Sequence, residues 1–508
     1  MNSENTRPGI ELDEERNAPI AMDGDSFRRA GHVLVDSIAD FLQSLPERPV
    51  TPDESPETIR ELIGGDAPMP EEGADSQALL ERAAELLYEH SLFNGHPRFF
   101  GYVTSSPAPI GMLGDLLAAA VNPNVGAWRI SPMASEIEMQ TVRWIAELIG
   151  YPRDCGGLLV SGGNMANITG LLGARVAALG GEVRQTGVAG PGAARPRVYA
   201  SAETHTWIQK AVDIAGLGTD AIRWIPVDER LRMKVDVLRR TIKADREAGE
   251  LSLMVAGTAG SVSTGAVDPL ADIAGLCREL DIWLHVDGAY GGFAAALPDA
   301  SDDLRALSLA DSVALDPHKW LYAPLEAGCV LVREPQHLRD AFSYHPQYYH
   351  FGQEATNFVD FGPQNSRGFR ALKVWLALQQ VGRRGYVRMI GDDIRLAHRL
   401  YDLVAAHDEL EAFTRDLSIA TFRYVPSYLR SEAGTESGEA YLNRLNQELL
   451  ERLQRSGEVF VSNAVIGGRY VLRACIVNFH TGAGDIEAVP EIVLRHGRAV
   501  DAELRPGG

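Results

Sequence analysis

Between residues 158 and 332, short apolar runs recur at 158–160, 197–201, 251–256, 282–286, 312–315 and 329–332. Several are separated by stretches with helical spacing, such as 269–280. Strand-length runs alternating with helix-length segments build βαβ units, which close on a mainly parallel sheet with helices packed against it. The chain is therefore read as α/β. Its 50 glycines among 508 residues suit the many tight strand-to-helix turns of that class.

The flanks follow other patterns. Residues 1–20 are polar and acidic and read as a flexible tail. Apolar residues at Phe27, Val33, Val35, Ile38 and Phe41 give a helical stripe over 25–42, and a second helix is expected over 76–88. Between them, TPDESPETIRELIGG reads as a loop with a short helix. In the centre, a helix over 134–148 leads to the run 158–160, and the glycine-rich turn SGGNMAN then opens a helix over 166–178. Residues 180–196 read as a small-residue linker. Around Trp375 the pattern changes to long helices, at 371–381, 386–406 and 439–455, with extended pieces at 459–462 and 470–478. The expected organisation is a tail (1–20), an N-terminal helical arm (21–110), a large α/β domain (111–376) and a small α+β C-terminal domain (377–508).

Bulk properties narrow the function classes. The formal net charge is -21 with no basic run, which disfavours nucleic acid as a partner. The four cysteines, Cys155, Cys277, Cys329 and Cys475, are widely spaced, so neither a disulfide framework nor a thiolate metal site is indicated, and a cytoplasmic setting is expected. No signal-peptide pattern opens the chain, and no apolar run reaches the roughly 18 to 20 residues that span a bilayer.

The sharpest chemical feature is DPHKW at 316–320, placed after one extended run, with HVDGAYGG at 285–292 after another. Ligands bind at the C-terminal ends of parallel strands, so Asp287 and Lys319 are expected to converge there. A lysine amine condenses with a cofactor aldehyde. A carboxylate facing a pyridine nitrogen keeps that nitrogen protonated and the ring able to accept electrons. A structural ion pair is the plainer alternative for the two residues. SGGNMAN offers a phosphate cradle, because glycines allow close backbone approach and the following helix presents free N–H groups and its positive end. Such turns also serve packing alone.

Together with HPRFFGY, SPMASEIE, THTWIQKA and FRALKVW, these motifs resemble the group II PLP-dependent decarboxylases, relatives of aromatic-L-amino-acid and glutamate decarboxylases, over residues 96–478. The resemblance implies fold type I (aspartate aminotransferase-like) and pyridoxal 5'-phosphate (PLP) as cofactor. It implies that Lys319 anchors the cofactor covalently, that Asp287 pairs with the ring nitrogen and that His205 stacks on the ring. Gly163 and Asn164 match the phosphate turn, His318 and Thr258 add to the cofactor site, and Ala289 packs against the ring. Tyr348, in HPQYYHFG, falls where decarboxylases carry on a mobile loop the tyrosine that protonates the substrate carbon; aldehyde-forming relatives carry phenylalanine there. The adjacent Tyr349 leaves that alignment open by one residue.

Decarboxylation of an L-amino acid, led by an aromatic one, is the expected reaction. Tyr102, Val103, Trp128 and Leu325 are the candidate substrate-pocket residues. Glutamate, aspartate or another small or polar amino acid stays open, with Arg98 or Arg129 as candidate partners for a side-chain carboxylate. A transaminase, an aldehyde-forming oxidative enzyme and a catalytically silent PLP-binding scaffold are the alternatives. The family resemblance further implies a homodimer with active sites at the subunit interface.

Overall fold

Seven strands form the main sheet: β1 (Gly156–Val160), β2 (Pro196–Ser201), β3 (Ile222–Ile225), β4 (Leu251–Thr258), β5 (Trp283–Asp287), β6 (Ser312–Leu315) and β7 (Gly328–Val332), in the order β1-β7-β6-β5-β4-β2-β3. The pairings β3–β2, β2–β4, β4–β5 and β5–β6 are parallel, and β7 runs antiparallel to both β6 and β1. Two reversals restore direction, so β1 points the same way as β6. The C-terminal ends of β1, β2, β4, β5 and β6 therefore share one edge of the sheet.

These observations come from a computed structural model that describes residues 18–188, 194–344 and 355–505. The chain divides into two compact units, Met1–Phe93 and Asn94–Gly508. The first contains helices Gly24–Ser44, Pro56–Leu62 and Ser76–Glu89, each capped by an Asp or Ser side chain at its N-terminus. Phe41 stacks on Tyr88 at 4.5 Å, tying the first of these helices to the third.

In the second unit both faces of the main sheet are covered, and the alternation of side chains along the strands sorts them. Val198, Ala200, Met254 and Ala256 pack with Leu171, Trp207 and Ile208 from helices Gly163–Leu179 and Trp207–Ile214. Tyr199, Val255, Leu284 and Val286 pack with Leu270 and Ile273 of helix Leu270–Leu280. This two-faced burial explains why the strands read as continuous apolar runs.

A second, antiparallel sheet contains β8 (Leu410–Asp416), β9 (Ile419–Tyr424), β10 (Ser462–Ile466) and β11 (Arg469–Cys475), ordered β10-β11-β9-β8. Its core joins Phe422 and Leu472 to Leu400, Leu445, Leu449 and Val489 of the surrounding helices. The helices expected at 371–381 and 386–406 lie on either side of Gly382, whose non-helical φ 66° and ψ 167° break the run Ala371–Ala405. Two other expectations are corrected here. The piece expected at 459–462 is shifted forward into β10, and the one at 470–478 stops at Cys475. The linker over 180–196 contains the short helix Val183–Thr186, and residues 189–193 lie outside the described residues.

β1 is an edge strand, so one row of its backbone groups has no strand partner and must be satisfied otherwise. Glu138 Oε1 accepts the Leu159 N–H at 2.9 Å, Arg367 donates to the Leu159 carbonyl at 2.7 Å and to the Val125 carbonyl at 2.8 Å, and the two side chains pair with each other. Both side chains are almost wholly buried. Removing either partner strands a buried charge as well as an edge-strand backbone group. Glu138→Ala and Arg367→Ala are each expected to lower unfolding stability by about 3–5 kcal/mol, read from denaturant melts of the purified variants.

Candidate active site

At the shared edge, the residues that follow the strands enclose a cleft of about 570 Å³. Its wall includes Gly163 and Asn164 after β1, His205 after β2, Asp287 at the end of β5 with Ala289 beyond it, and His318 and Lys319 after β6. Sequence positions more than 150 residues apart meet because the strands are parallel and end together. Tyr102, Val103 and Leu325 line the same cleft.

Lys319 sits one turn past β6, and its Nζ lies 2.9 Å from Asp316 Oδ2. Asp316 is buried, and its Oδ1 has no hydrogen-bond partner among the described residues. His318 Nε2 approaches Asp316 Oδ2 at 3.6 Å, while His318 Nδ1 is 2.7 Å from the Ala327 carbonyl. Burial lowers the His318 pKa, with the Asp316 charge acting against that shift. Asp287 is also buried. Desolvation raises its pKa, and the attraction of Lys319 offsets this only in part. A buried carboxylate of this kind is stabilised by a cationic N–H placed against it.

His205 caps the turn into helix Trp207–Ile214, accepting the Trp207 N–H on Nδ1 at 3.2 Å. That contact assigns the proton of the neutral ring to Nε2. Burial lowers the His205 pKa, and Asp287 pulls the other way. Burial thus disfavours the charged imidazole beside the carboxylates.

The start of helix Gly163–Leu179 has the properties a phosphate needs. Gly162 precedes it with φ 131°, and no side chain caps the helix, leaving its first N–H groups and positive dipole end facing the cleft. A Cβ on Gly163 would lie 2.8 Å from Asp316 Oδ2 and 3.1 Å from Ala289 Cβ. A larger residue there would press on the Asp316 carboxylate. The cradle, the amine of Lys319 and the buried Asp287 together match the three groups of pyridoxal phosphate: phosphate, aldehyde and ring nitrogen.

Other expected residues fall elsewhere. Thr258 ends β4 in register with Asp287, buried and with an unpartnered Oγ1, but it is not among the residues lining the cleft. Neither is Trp128, whose indole N–H donates to Glu136 at 2.8 Å. Tyr348 and Tyr349 lie outside the described residues.

The structure adds residues that sequence reasoning missed. Arg473 of β11 reaches the cleft, donating to Ser462 Oγ at 2.6 Å and to the Tyr102 carbonyl at 2.8 Å. Tyr102 itself holds φ 51°, a left-handed conformation costing a non-glycine residue roughly 1–2 kcal/mol. No local motif marks Arg473. His285, by contrast, lies inside HVDGAYGG; it is wholly buried between Asn167 Oδ1 and Ser312 Oγ, each at 2.7 Å, and pushed down to about 3 by burial. It fastens the phosphate-cradle helix to the sheet.

A larger groove, about 810 Å³, lies under the opposite ends of the strands. Its side chains are largely engaged with backbone: Arg246 donates to the Leu280 carbonyl, Arg333 to Ala310, and Asp311 accepts from Leu284. Burial pushes its thiol, Cys277, up to about 12. The catalytic constellation is at the other edge.

Comparison with known proteins agrees with this chemistry. The model of the pyridoxal-dependent decarboxylase conserved domain matches residues 56–425. An aromatic-L-amino-acid decarboxylase from Bacillus atrophaeus is 33% identical over 467 residues, covering 91% of this chain and 93% of that protein. A phenylacetaldehyde synthase from a Rosa hybrid cultivar is 29% identical over 492 residues, covering 94% and 95%. The crystal structure of Oryza sativa TDC with PLP and tryptamine superposes with a TM-score of 0.87 at 28% identity, covering 95% of this chain and 99% of that one. With a PLP-shaped site on a fold type I sheet and a family match over most of its length, the chain belongs to the pyridoxal-dependent decarboxylases, the group II PLP enzymes that act on amino acids.

Proposed function

We propose that the protein decarboxylates an aromatic L-amino acid to its amine and carbon dioxide, with pyridoxal phosphate held at Lys319. The observation that carries this reading is the composition of the outer cleft. Tyr102, Val103, Val262 and Leu325 offer aromatic and apolar surface, and Arg473, the guanidinium among the described lining residues, is already engaged by Ser462 and the Tyr102 carbonyl. Arg98 and Arg129 are not among those residues. Both terminal nitrogens of Arg473 are thus taken, with its buried Nε left unpartnered among the described residues, so a side-chain carboxylate would lose water there for little gain, whereas an aromatic ring would bury apolar area. The names of the bacterial relative and of the rice structure support the same substrate class.

When bound, pyridoxal phosphate supplies an aldehyde that condenses with amines and a protonated ring that accepts the electron pair released as carbon dioxide leaves. The chain's own residues supply the rest. Lys319 presents the anchoring amine. Asp287 holds the proton on the ring nitrogen, a role suited to a buried carboxylate that needs a cationic partner. Gly163, Asn164 and the helix start receive the phosphate, Ala289 and His205 bound the ring, and His318 and Thr258 complete the surround. Tyr348 is assigned from sequence alone as the donor that delivers a proton to the α-carbon.

The active form is inferred to be a homodimer. Helix Pro109–Val121 leaves Leu113, Leu116, Leu117 and Val121 exposed along its length, apolar surface of the kind that subunits bury. No described helix is long and apolar enough to cross a membrane. All four cysteines are free, which supports a reducing compartment, and we assign the protein to the cytoplasm.

Incubation with PLP and a panel of L-amino acids, read by mass spectrometry, is expected to yield amine and carbon dioxide from aromatic substrates, and neither from Lys319→Ala. Turnover restricted to glutamate or aspartate would overturn the substrate reading. Aldehyde in place of amine would move the chain toward the activity in the rose relative's name. Asp287→Asn is expected to lower kcat by about 10²–10³-fold while the protein still binds PLP, because an amide cannot stabilise the ring-nitrogen proton. Light scattering is expected to give twice the chain mass, shifting to the monomer in Leu116→Glu/Leu117→Glu.

A further inference from the structure

Lys319 is carried on a short turn, and what holds that turn lies outside the cleft. Immediately beyond the lysine, Trp320 and Tyr322 point away from the site and are fully buried. Both donate to one carboxylate oxygen: Trp320 Nε1–H to Asp393 Oδ2 at 3.1 Å, and Tyr322 O–H to the same atom at 2.7 Å. Asp393 belongs to the long helix Ala371–Ala405, in the part beyond the break at Gly382, and is itself buried. One helical turn pair earlier, Tyr386 donates to the Leu321 carbonyl at 3.2 Å, so all three residues after Lys319 are gripped by this helix.

The grip has a conformational task. Tyr322 holds φ 53°, a left-handed backbone that its side chain disfavours. In this conformation the Tyr322 N–H closes the turn on the Lys319 carbonyl at 3.0 Å, and the Tyr322 carbonyl accepts the Ala108 N–H at 2.8 Å. A non-glycine residue persists there only where its surroundings over-determine it. Trp320 in turn packs against Tyr290, ring centroids 4.8 Å apart, and Tyr290 lines the cleft beside Ala289. The buried acceptor therefore fixes both the lysine turn and part of the cleft wall. Desolvation raises the Asp393 pKa to about 7, and the Tyr322 and Trp320 hydrogen bonds and the Asn478 backbone N–H oppose that shift.

We propose that Asp393 is a positioning residue for Lys319, acting through the hydrogen bonds of Trp320 and Tyr322 to hold the lysine turn in its left-handed closure. This rests on the assignment of Lys319 as the cofactor-binding amine. It requires an acceptor at position 393 rather than a charge.

The test is the rate at which purified apoenzyme captures added PLP, followed by visible absorbance, with borohydride reduction and peptide mapping to locate the captured group. Asp393→Leu, folded by circular dichroism, is expected to capture PLP about 10-fold or more slowly and to lose kcat in proportion with substrate KM unchanged. Asp393→Asn, which still accepts from both donors, is expected to stay within about threefold of the parent, and Trp320→Phe and Tyr322→Phe to fall by about threefold each. Parent-like capture in folded Asp393→Leu would overturn the proposal, as would equal impairment of the Asn and Leu variants. If Asp393→Leu does not fold, parent-like capture in both Trp320→Phe and Tyr322→Phe overturns it. Label on a residue other than Lys319 would instead overturn the assignment of the cofactor amine.

Discussion

The parallel alignment of β2, β4, β5 and β6 is the constraint on which the site depends. Thr258 and Asp287 face each other in register across β4 and β5, and Asp287 pairs with Ala314 of β6, one residue before the strand ends. Because these strands stop together, the loops that follow them open onto a common space, where His205, Asp287 and Lys319 meet. The antiparallel β7 completes this edge from the other direction. Its first residue, Gly328, lies so close to Gly162 that a Cβ would come within 2.5 Å of the Gly162 backbone. Strand β1 then delivers the phosphate cradle at the same level. Shifting any one strand by a residue would turn its buried side chains over as well as displace a catalytic group.

Electrostatics builds on that geometry. Two buried carboxylates, Asp287 and Asp316, stand near one lysine, flanked by two histidines whose charged form burial disfavours. In so little water each charge is stabilised only by a nearby partner, which favours binding of a cofactor with a basic ring nitrogen and an anionic phosphate at separate places. A phosphate bound at the start of helix Gly163–Leu179 would face backbone N–H groups, its charge met by dipoles rather than by a competing cation. Lys319 is left to pair with Asp316 when it is not otherwise engaged.

Much of this was legible from local patterns. The apolar runs marked six of the seven strands of the main sheet because burial on both faces leaves little polar interruption. DPHKW, HVDGAYGG and SGGNMAN announced the amine, the carboxylate and the cradle because each combines residue types that serve one chemistry at fixed spacing. Strands β3, β8 and β9 escaped notice: β3 is only four residues long and half exposed, and β8 presents polar residues such as Glu411, Thr414 and Arg415 along its length. Helix Ala483–Leu504 was hidden in part by Pro490, a residue that ordinarily argues against a helix interior.

By itself the sequence determined the α/β class, the kind of cofactor and the candidate residues for holding it, since these follow from periodicity and from side-chain chemistry carried within short motifs. Only the tertiary structure decided which distant side chains support them. Arg473 reaches the cleft from the second sheet, Glu138 and Arg367 seal the edge of β1 across 229 positions, and Asp393 grips the lysine turn from 71 and 73 positions away. Such partnerships leave no local trace, because a buried hydrogen bond constrains where two groups meet in space and not how far apart they stand along the chain.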